Sequence, residues 1–291
     1  MKNNTVCLSV DESRRRFIRD FLAFTGWSFL GAAELVRSSP LSIAGDPNNA
    51  DKAWGGIKGR ILFDGTPPER KEVDLGKTNL GANDLTWFKS TGPILNEEWV
   101  VDPKSKAVQW VVVWLLPEDP KGTLLVHDSR KVIKEKEKAV IVDQAPKGYV
   151  PHTVALRTGQ DLVMKNTGPV AHVFQMGEGS NNPGFNRAMP PQSEIKVPDL
   201  KAERHALQVG CPPHPWERMW LKIFDHPYFA VTKPDGSFEI PLAPAGKNRL
   251  VVWHEAIGYK GGKDGRNGSV ITIEGGAVTD LGTITIKPVA S

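Results

Sequence analysis

Cysteine is scarce in this chain of 291 residues, where Cys7 and Cys211 are the only two. Too few cysteines are present for a disulfide framework. The seven histidines include no His-x-His pair. Since multicopper oxidases hold their additional coppers largely with such pairs, the sequence excludes that class of enzyme.

Charge of one sign is also lacking. The chain has 37 Lys and Arg residues against 33 Asp and Glu residues. Residues 1–44 contain six of the basic and four of the acidic residues, which leaves 31 and 29 in the remainder. A nearly balanced surface gives no reason to expect nucleic acid as a partner. No phosphate-binding glycine loop is found either.

Long apolar runs are missing as well. The longest candidate, residues 21–36, is short for a membrane span. It follows residues 13–19, S-R-R-R-F-I-R, which resemble the motif of bacterial twin-arginine signal peptides. Residues 42–44 offer small side chains for cleavage. The alternative is an amphipathic N-terminal helix with clustered arginines. The resemblance implies a protein exported to the periplasm or beyond, with no membrane span in the mature chain.

Glycine and proline are abundant, at 28 and 23 residues, and the apolar runs are short and rich in Val and Ile. This composition predicts an all-β fold with many turns. Of the candidate strands, residues 108–115 are the most strand-like and are apolar on both faces. The charged residues 118–138 are predicted to be a solvated connection.

The expected layout has five parts: a signal peptide (1–44), a linker (45–53), a β-rich module with a charged connector (54–138), a sandwich domain (139–226) and a smaller β-sandwich (227–291). Residues 55–64 and the hairpin after Tyr228 both look like pieces of a small sandwich. They are either two separate modules or parts of one module that the central domain interrupts.

Once a signal peptide is removed, Cys211 is the only thiol, and an unpaired cysteine in an oxidising compartment is commonly a metal ligand. It stands in the stretch C-P-P-H-P-W-E-R-M, which places His214 three residues and Met219 eight residues after the thiol. Two imidazoles, a thiolate and a weak axial Met are the ligands of blue-copper sites. The alternative is a buried structural cysteine beside a surface histidine.

Residues 139–226 resemble the cupredoxin, or blue-copper, family. The similarity is carried by residues 159–166 (G-Q-D-L-V-M-K-N), by His172 at a strand start and by the Cys211-x-x-His214 loop. Residues 225–232 then resemble the entry into a carboxypeptidase-regulatory-like β-sandwich. The resemblance implies a Greek-key cupredoxin sandwich that binds one copper ion and carries single electrons, without being an enzyme.

Residue by residue, the resemblance implies His172 and His214 as imidazole ligands and Cys211 as the thiolate. Met219 keeps the axial spacing of plastocyanin-like proteins. In the short-loop type of the family the axial Met occupies the position of Glu217, which is therefore the alternative fourth ligand. A carboxylate there favours Cu(II) and lowers the reduction potential.

The chain departs from the family at Val173, where many members have an Asn that ties the ligand loops together. Redox partners are expected to dock near His214 and Trp216, unless Trp216 packs between domains. Glu217 and Val173 also support a different function: a non-redox binding or structural β-sandwich, or a copper-storage protein, with a degraded copper site.

Three other histidines lie near the expected domain joints. His152 is interpreted as structural or exposed. His226 and His254 form either a second metal site or an interdomain hydrogen-bond cluster.

Overall fold

The computed structural model describes residues 51–288. Strands dominate, and the predicted all-β fold class is confirmed. The strands are β1 (Trp54–Phe63), β2 (Val112–Pro117), β3 (Ala139–Ala145), β4 (Gly148–Val150), β5 (Thr153–Arg157), β6 (Asp161–Asn166), β7 (His172–Met176), β8 (Phe185–Met189), β9 (Ser193–Val197), β10 (Leu207–Gly210), β11 (Arg218–Phe224), β12 (Phe229–Val231), β13 (Ser237–Pro244), β14 (Gly246–His254), β15 (Gly258–Tyr259), β16 (Ser269–Ile273) and β17 (Val278–Ile286).

The helices are short. They are α1 (Ala82–Ser90), α2 (Asp128–Lys131), α3 (Glu135–Lys138) and α4 (Gly262–Gly265), with single 3-10 turns at Asp51–Ala53 and Leu75–Lys77. Within residues 51–288, no helix combines the length and the apolar character that a bilayer crossing requires. The predicted signal peptide, residues 1–44, lies outside the described residues.

Strands from both ends of the described chain form one sandwich, termed here the terminal sandwich. One of its sheets has the order β13-β1-β17, in which β1 is antiparallel to β13 and parallel to β17. The other has the order β12-β2-β14-β15, with β16 also paired to β14. Of the two arrangements that the sequence left open, a single module interrupted by the central domain is the one present.

The interrupting domain, β3 to β11, is a second sandwich, termed the inserted sandwich. Its sheets have the orders β4-β3-β6-β9 and β5-β11-β10-β7-β8. The apolar core contains side chains from both sheets, including Leu162, Met164, Phe174, Met219 and Leu221. This core supports the ends of β7 and β10, where the metal-ligand candidates lie.

The two sandwiches pack against each other within one compact unit. An apolar cluster at the joint contains Trp114 and Trp253 from the terminal sandwich and Phe224 from the inserted sandwich. The rings of Trp220 and Trp253 meet edge to face, with centroids 5.4 Å apart. Aromatic rings therefore supply much of the apolar contact at the joint.

The predicted strand at residues 108–115 begins later than expected. Trp110 has a φ of 69°, in the left-handed region, so extended structure starts only at Val112. A positive φ lies outside the extended region, so the strand cannot continue through this residue. Within the charged connection at 118–138, the short helices α2 and α3 have no buried residues.

Residues 67–97, termed the cap segment, lie between β1 and β2. It contains α1. Phe88 and Ile94 are buried together with Val170 of the inserted sandwich, and Leu80 and Trp216 pack against them. A segment early in the chain thus covers one end of the inserted sandwich.

Candidate metal centre

The loop Cys211–Glu217, termed the ligand loop, joins β10 to β11 through two successive turns. The N–H of His214 donates to the carbonyl oxygen of Cys211 at 2.9 Å, and the N–H of Glu217 donates to that of His214 at 2.8 Å. The N–H of Cys211 donates back to the carbonyl oxygen of Glu217 at 3.1 Å. Because side chains three residues apart eclipse in turns of this kind, the loop presents a thiol, an imidazole and a carboxylate together.

His172 joins these three side chains. It begins β7, which is hydrogen-bonded to β10 in the same sheet, so it lies at the sheet end from which the ligand loop departs. Its Nδ1 lies 3.0 Å from Nδ1 of His214 and 3.9 Å from Sγ of Cys211. Sγ of Cys211 lies 3.4 Å from Nδ1 of His214. The structure therefore brings together three of the ligands that the sequence predicted.

Glu217 supplies a fourth donor to the cluster. Its Oε2 lies 3.0 Å from Nδ1 of His172 and 3.3 Å from Nδ1 of His214. Within residues 51–288, His172, Cys211, His214 and Glu217 form the only group of three or more His, Cys, Asp or Glu side chains with converging donor atoms, all within 4.8 Å of one another. Met219, the other candidate, is fully buried in the apolar core of the inserted sandwich.

These spacings fit one small metal ion. A tetrahedral ion with bonds of about 2.0 Å to nitrogen and about 2.3 Å to sulfur holds its donors roughly 3.3–3.6 Å apart. The distances given above scatter around that value. The facing Nδ1 atoms of His172 and His214 also require a proton or a cation between them, since two ring lone pairs repel. Two imidazoles and a thiolate suit copper, and zinc accepts the same donors together with a carboxylate.

Burial separates this site from water. The exposed fraction is 2% for His172 and Cys211, 1% for His214 and 0% for Glu217. Burial raises the pKa of the Cys211 thiol to about 12, and the charge of Glu217 adds to this effect. A cation that binds the sulfur reverses the preference and holds the thiolate.

The ionisation of Glu217, unlike that of Cys211, is favoured in this site. Burial alone raises the pKa of a carboxyl group. However, hydrogen bonds and charge interactions with His172 and His214 outweigh burial and hold the pKa of Glu217 below its ordinary value. The fourth donor is therefore a charged carboxylate.

Two hydrogen bonds orient the donors. The backbone N–H of Val173 donates to Sγ of Cys211 at 3.3 Å, so the chain ties its two ligand-bearing segments together without a side chain at position 173. Nε2 of Gln144 donates to Oε2 of Glu217 at 2.7 Å. Bonds of this kind fix the direction of a ligand. Nothing in the sequence around Gln144 indicated this role.

The cap segment covers the imidazole of His214. The ring of Phe88 meets that of His214 with centroids 4.8 Å apart and that of Trp216 with centroids 5.0 Å apart. His214 and Trp216 are themselves 5.4 Å apart. The rings of Phe88 and Trp216 therefore cover His214. Trp216 is partly exposed, so it connects the covered imidazole to the surface.

Three of the other histidines, His152, His226 and His254, lie at or near the joint. His152 is buried between Glu97, 3.4 Å away, and Glu255, which it contacts through Nε2. His226 and His254 each accept a backbone N–H, from Tyr228 at 3.1 Å and Ala256 at 3.3 Å.

Comparisons with known proteins give little beyond this geometry. No family model matches the chain, and no curated protein matches its sequence. Among solved structures, a Met-to-Gln mutant of amicyanin in the Cu(I) state is similar at 17% identity over 30% of this chain and 82% of that one, with a TM-score of 0.27. A purple cupredoxin from Nitrosopumilus maritimus is similar at 15% identity over 28% of this chain and 97% of that one, with a TM-score of 0.24. TM-scores this low carry no argument about function.

Proposed function

We propose that this protein carries single electrons on one copper ion held by His172, Cys211, His214 and Glu217. The observation that carries the proposal is the convergence of a lone buried thiol with two imidazoles in a sandwich core. When bound, copper supplies a one-electron couple between Cu(I) and Cu(II). The residues around it hold the donors still and exclude water.

Rigidity of the donors supports electron transfer. Pro212, Pro213 and Pro215 fix three φ angles in the ligand loop. The turns of the loop and the ring of Phe88 restrain His214 from both sides. Ligands that move little between the two oxidation states of the metal keep the reorganisation energy of electron transfer small.

We favour Glu217 over Met219 as the fourth ligand because its Oε2 lies 3.0 Å from Nδ1 of His172. A hard oxygen donor stabilises Cu(II) relative to Cu(I). The reduction potential is then lower than with a thioether ligand at the same position.

The proposed partner is a redox protein that docks over Trp216. His214 is 1% exposed, so a partner cannot contact the imidazole directly while the cap segment is in place. Trp216 lies 5.4 Å from His214 and is partly exposed, which makes its ring a route from the site to the surface. The exposed Pro212, Pro213 and Pro215 beside it complete a small, rigid docking patch.

We further propose that the protein is a carrier and not an enzyme, and that it works outside the cytoplasm. Complete burial of the donors suits transfer of electrons rather than binding of a substrate at the metal. The motif at residues 13–19 supports export of the folded protein through the twin-arginine pathway. A cargo that acquires its cofactor during folding is suited to that pathway.

The first experiment is a visible absorption titration of the purified protein with Cu(II), with Cys211→Ser and His205→Asn alongside. One equivalent is expected to produce an intense thiolate-to-copper band in the wild type and in His205→Asn, which changes an exposed histidine outside the cluster. Cys211→Ser is expected to lack the band. A wild-type sample that stays colourless and takes up no copper refutes the proposal.

A second candidate function is copper storage. The cover that Phe88 forms over His214 favours it, because a closed site protects a bound ion from exchange. Stopped-flow oxidation of the Cu(I) protein by a one-electron oxidant separates the two. A carrier reacts many times faster than it releases copper to a chelator. A storage protein shows both processes at the rate at which the site opens.

A further inference from the structure

A cavity of about 560 Å³ lies between the two sandwiches, away from the ligand loop. From the inserted sandwich it is lined by residues 202–204 and 222–226, and from the terminal sandwich by residues 114–117, Tyr259 and Arg266. Small-molecule sites occur preferentially at such domain joints, and this volume is within their usual range.

The wall of this cavity includes a buried ammonium group, that of Lys222, which is 5% exposed. Its Nζ donates to the carbonyl oxygens of Glu203 and, at 3.2 Å, Arg204. Of the described carboxylates, none lies within ion-pair distance of this amine. Burial lowers the pKa of Lys222 to about 8, although Glu203 and Asp225 oppose the shift. A buried cation without a contacting anion is unfavourable, and a bound anion relieves the strain on it.

Two arginines add to the positive charge. Arg204 and Arg266 line the cavity, are exposed, and form no ion pair with any carboxylate of residues 51–288. Of the two acidic residues in the wall, Glu203 directs its carboxylate to the backbone N–H groups of residues 180–182. Asp225 is exposed, and together with Glu203 it sets two acids against the three cations.

The buried imidazole of His226 also lines the cavity. Burial is the main cause that lowers the pKa of His226, and the charges of Lys222, Arg157 and Arg130 add to it against the effect of Asp225, so that the pKa is about 4. His226 is therefore neutral at ordinary pH, and the net positive charge of the cavity comes from Lys222, Arg204 and Arg266 against Glu203 and Asp225.

Aromatic rings form the other part of the wall. The rings of Trp114 and Phe224 have centroids 5.5 Å apart, and those of Trp114 and Tyr259 have centroids 6.2 Å apart. Nζ of Lys222 lies 4.9 Å from the centroid of Phe224 and 5.5 Å from that of Trp114. Aromatic faces beside unpaired cations are suited to a ligand with a flat ring and a negative group.

We propose that this cavity binds a small organic anion in which a carboxylate or phosphate group is attached to a planar ring. Arg204 and Arg266 contact the anionic group at the mouth, and Lys222 attracts it from the wall. The ring packs against Trp114 and Tyr259. The proposal is independent of the copper site, since no ligand-loop residue lines the cavity.

The test is a titration of the purified protein with benzoate and with phenyl phosphate, followed by calorimetry and by tryptophan fluorescence. Saturable binding of at least one of them is expected, with benzyl alcohol and inorganic phosphate at least tenfold weaker. Benzyl alcohol lacks the charge and inorganic phosphate lacks the ring. No saturable binding of either ring-bearing anion, or equally tight binding of inorganic phosphate, overturns the proposal.

Variants locate the site. Changing Arg204→Ala together with Arg266→Ala removes two exposed side chains, so folding is preserved, and at least a tenfold loss of affinity is expected. Arg187→Ala, an exposed arginine outside the cavity, is the matched control and is expected to bind as the wild type does. Lys222→Met keeps the apolar stem and tests the buried charge wherever circular dichroism shows the variant folded. Wild-type affinity in the double arginine variant refutes the assignment.

Discussion

Oε2 of Glu217 lies 3.0 Å from Nδ1 of His172, and both side chains are completely buried. Burial of a charged carboxylate beside a thiol and two imidazoles sets the charge balance of the site. With a bound Cu(II), a thiolate and a carboxylate make the cluster neutral, whereas with Cu(I) the same cluster carries one negative charge. Since a buried net charge is unfavourable, the oxidised state is favoured.

Glu217→Gln is therefore expected to raise the reduction potential. Two charges about 4 Å apart interact by roughly 4 kcal/mol at an effective dielectric constant near 20. With about 2.3 kcal/mol per 100 mV, the expected rise is on the order of 100 mV. Spectroelectrochemical titration of the copper-loaded proteins measures it.

Met219→Leu is the comparison variant for this measurement. It removes the thioether with little change in volume, and we expect a potential within a few tens of mV of the wild type. If Met219→Leu shifts the potential and Glu217→Gln does not, Met219 is the axial ligand instead.

Phe88→Ala is expected to speed copper release to a chelator at least tenfold. Phe88 is fully buried and contacts the rings of both His214 and Trp216. Loss of a buried phenyl ring typically removes about 3–5 kcal/mol of stability, and a tenfold change in opening needs only about 1.4 kcal/mol. The release is followed by the decay of the visible band.

Asn83→Ala changes an exposed residue of the same helix and serves as the control. Phe88→Leu retains most of the apolar volume and is expected to lie between the wild type and Phe88→Ala. Equal release rates in all four proteins would mean that the cap segment does not limit access to the metal.

Stability is expected to fall as the pH rises from 6.5 to 9 because of His152. Burial alone lowers the pKa of this imidazole, but Glu255 and Glu97 outweigh burial and raise the pKa to about 9. A raised pKa means that the ion-pair contribution is complete below the unfolded value of about 6.5 and disappears as the pH passes 9. The expected loss is about 3 kcal/mol, measured by urea unfolding at several pH values.

His152→Gln isolates this effect, because it removes the titrating group and leaves the rest of the joint in place. The variant is expected to lack the decline that His152 causes between pH 6.5 and 9. Lys222, whose pKa is lowered to about 8, opposes the decline above pH 8 in both proteins, so it cancels in the difference. Parallel stability curves for the two proteins would contradict the prediction.

Asn166→Ala is expected to destabilise the protein by about 3 kcal/mol. Asn166 is 1% exposed, and the two hydrogens of its Nδ2 are shared among the carbonyl oxygens of Val170 at 2.8 Å, Pro190 at 2.9 Å and Met189 at 3.1 Å. Each buried acceptor left without a donor costs about 1–3 kcal/mol. These bonds anchor the loop that leads into His172, so the copper band is expected to shift too.

Urea unfolding of Asn166→Ala measures the loss, and Asn186→Ala, an exposed asparagine of β8, is the control. Asn166→Asp retains the shape but points a carboxylate at carbonyl oxygens, so it is expected to be no more stable than Asn166→Ala. An unfolding free energy close to that of the wild type in Asn166→Ala would contradict this account.

The ligand loop could be predicted from the sequence because its chemistry is local. Cys211 and His214 stand three residues apart among prolines, a spacing that predicts neighbouring side chains, whereas Glu217 entered only as the alternative to Met219 that the family resemblance implied. His172 lies 39 residues before the thiol and was reached only through the resemblance to a family. Phe88 gave no signal, since nothing in a short helix with one buried residue indicates which distant ring it meets.

The pairing of strands from the two ends of the described chain could not be predicted from the sequence either. β1 lies parallel to β17, with Gly56 opposite Val278 and Phe63 opposite Ile286, more than 220 residues away in sequence. Strand patterns indicate that a segment pairs, but not with which partner. Two separate modules and one interrupted module therefore looked alike until the register was visible.

The position of the cap segment in the chain also bears on how the proposed copper ion enters the site. All residues of the cap segment precede the four donors, so the cap segment is synthesised before the metal site that it covers. Once the chain has folded, copper can reach the donors only when the cap segment moves away from His214. Loading of the folded protein should then reach a ceiling rate that further copper cannot increase, whereas a chain that folds around copper never meets that ceiling.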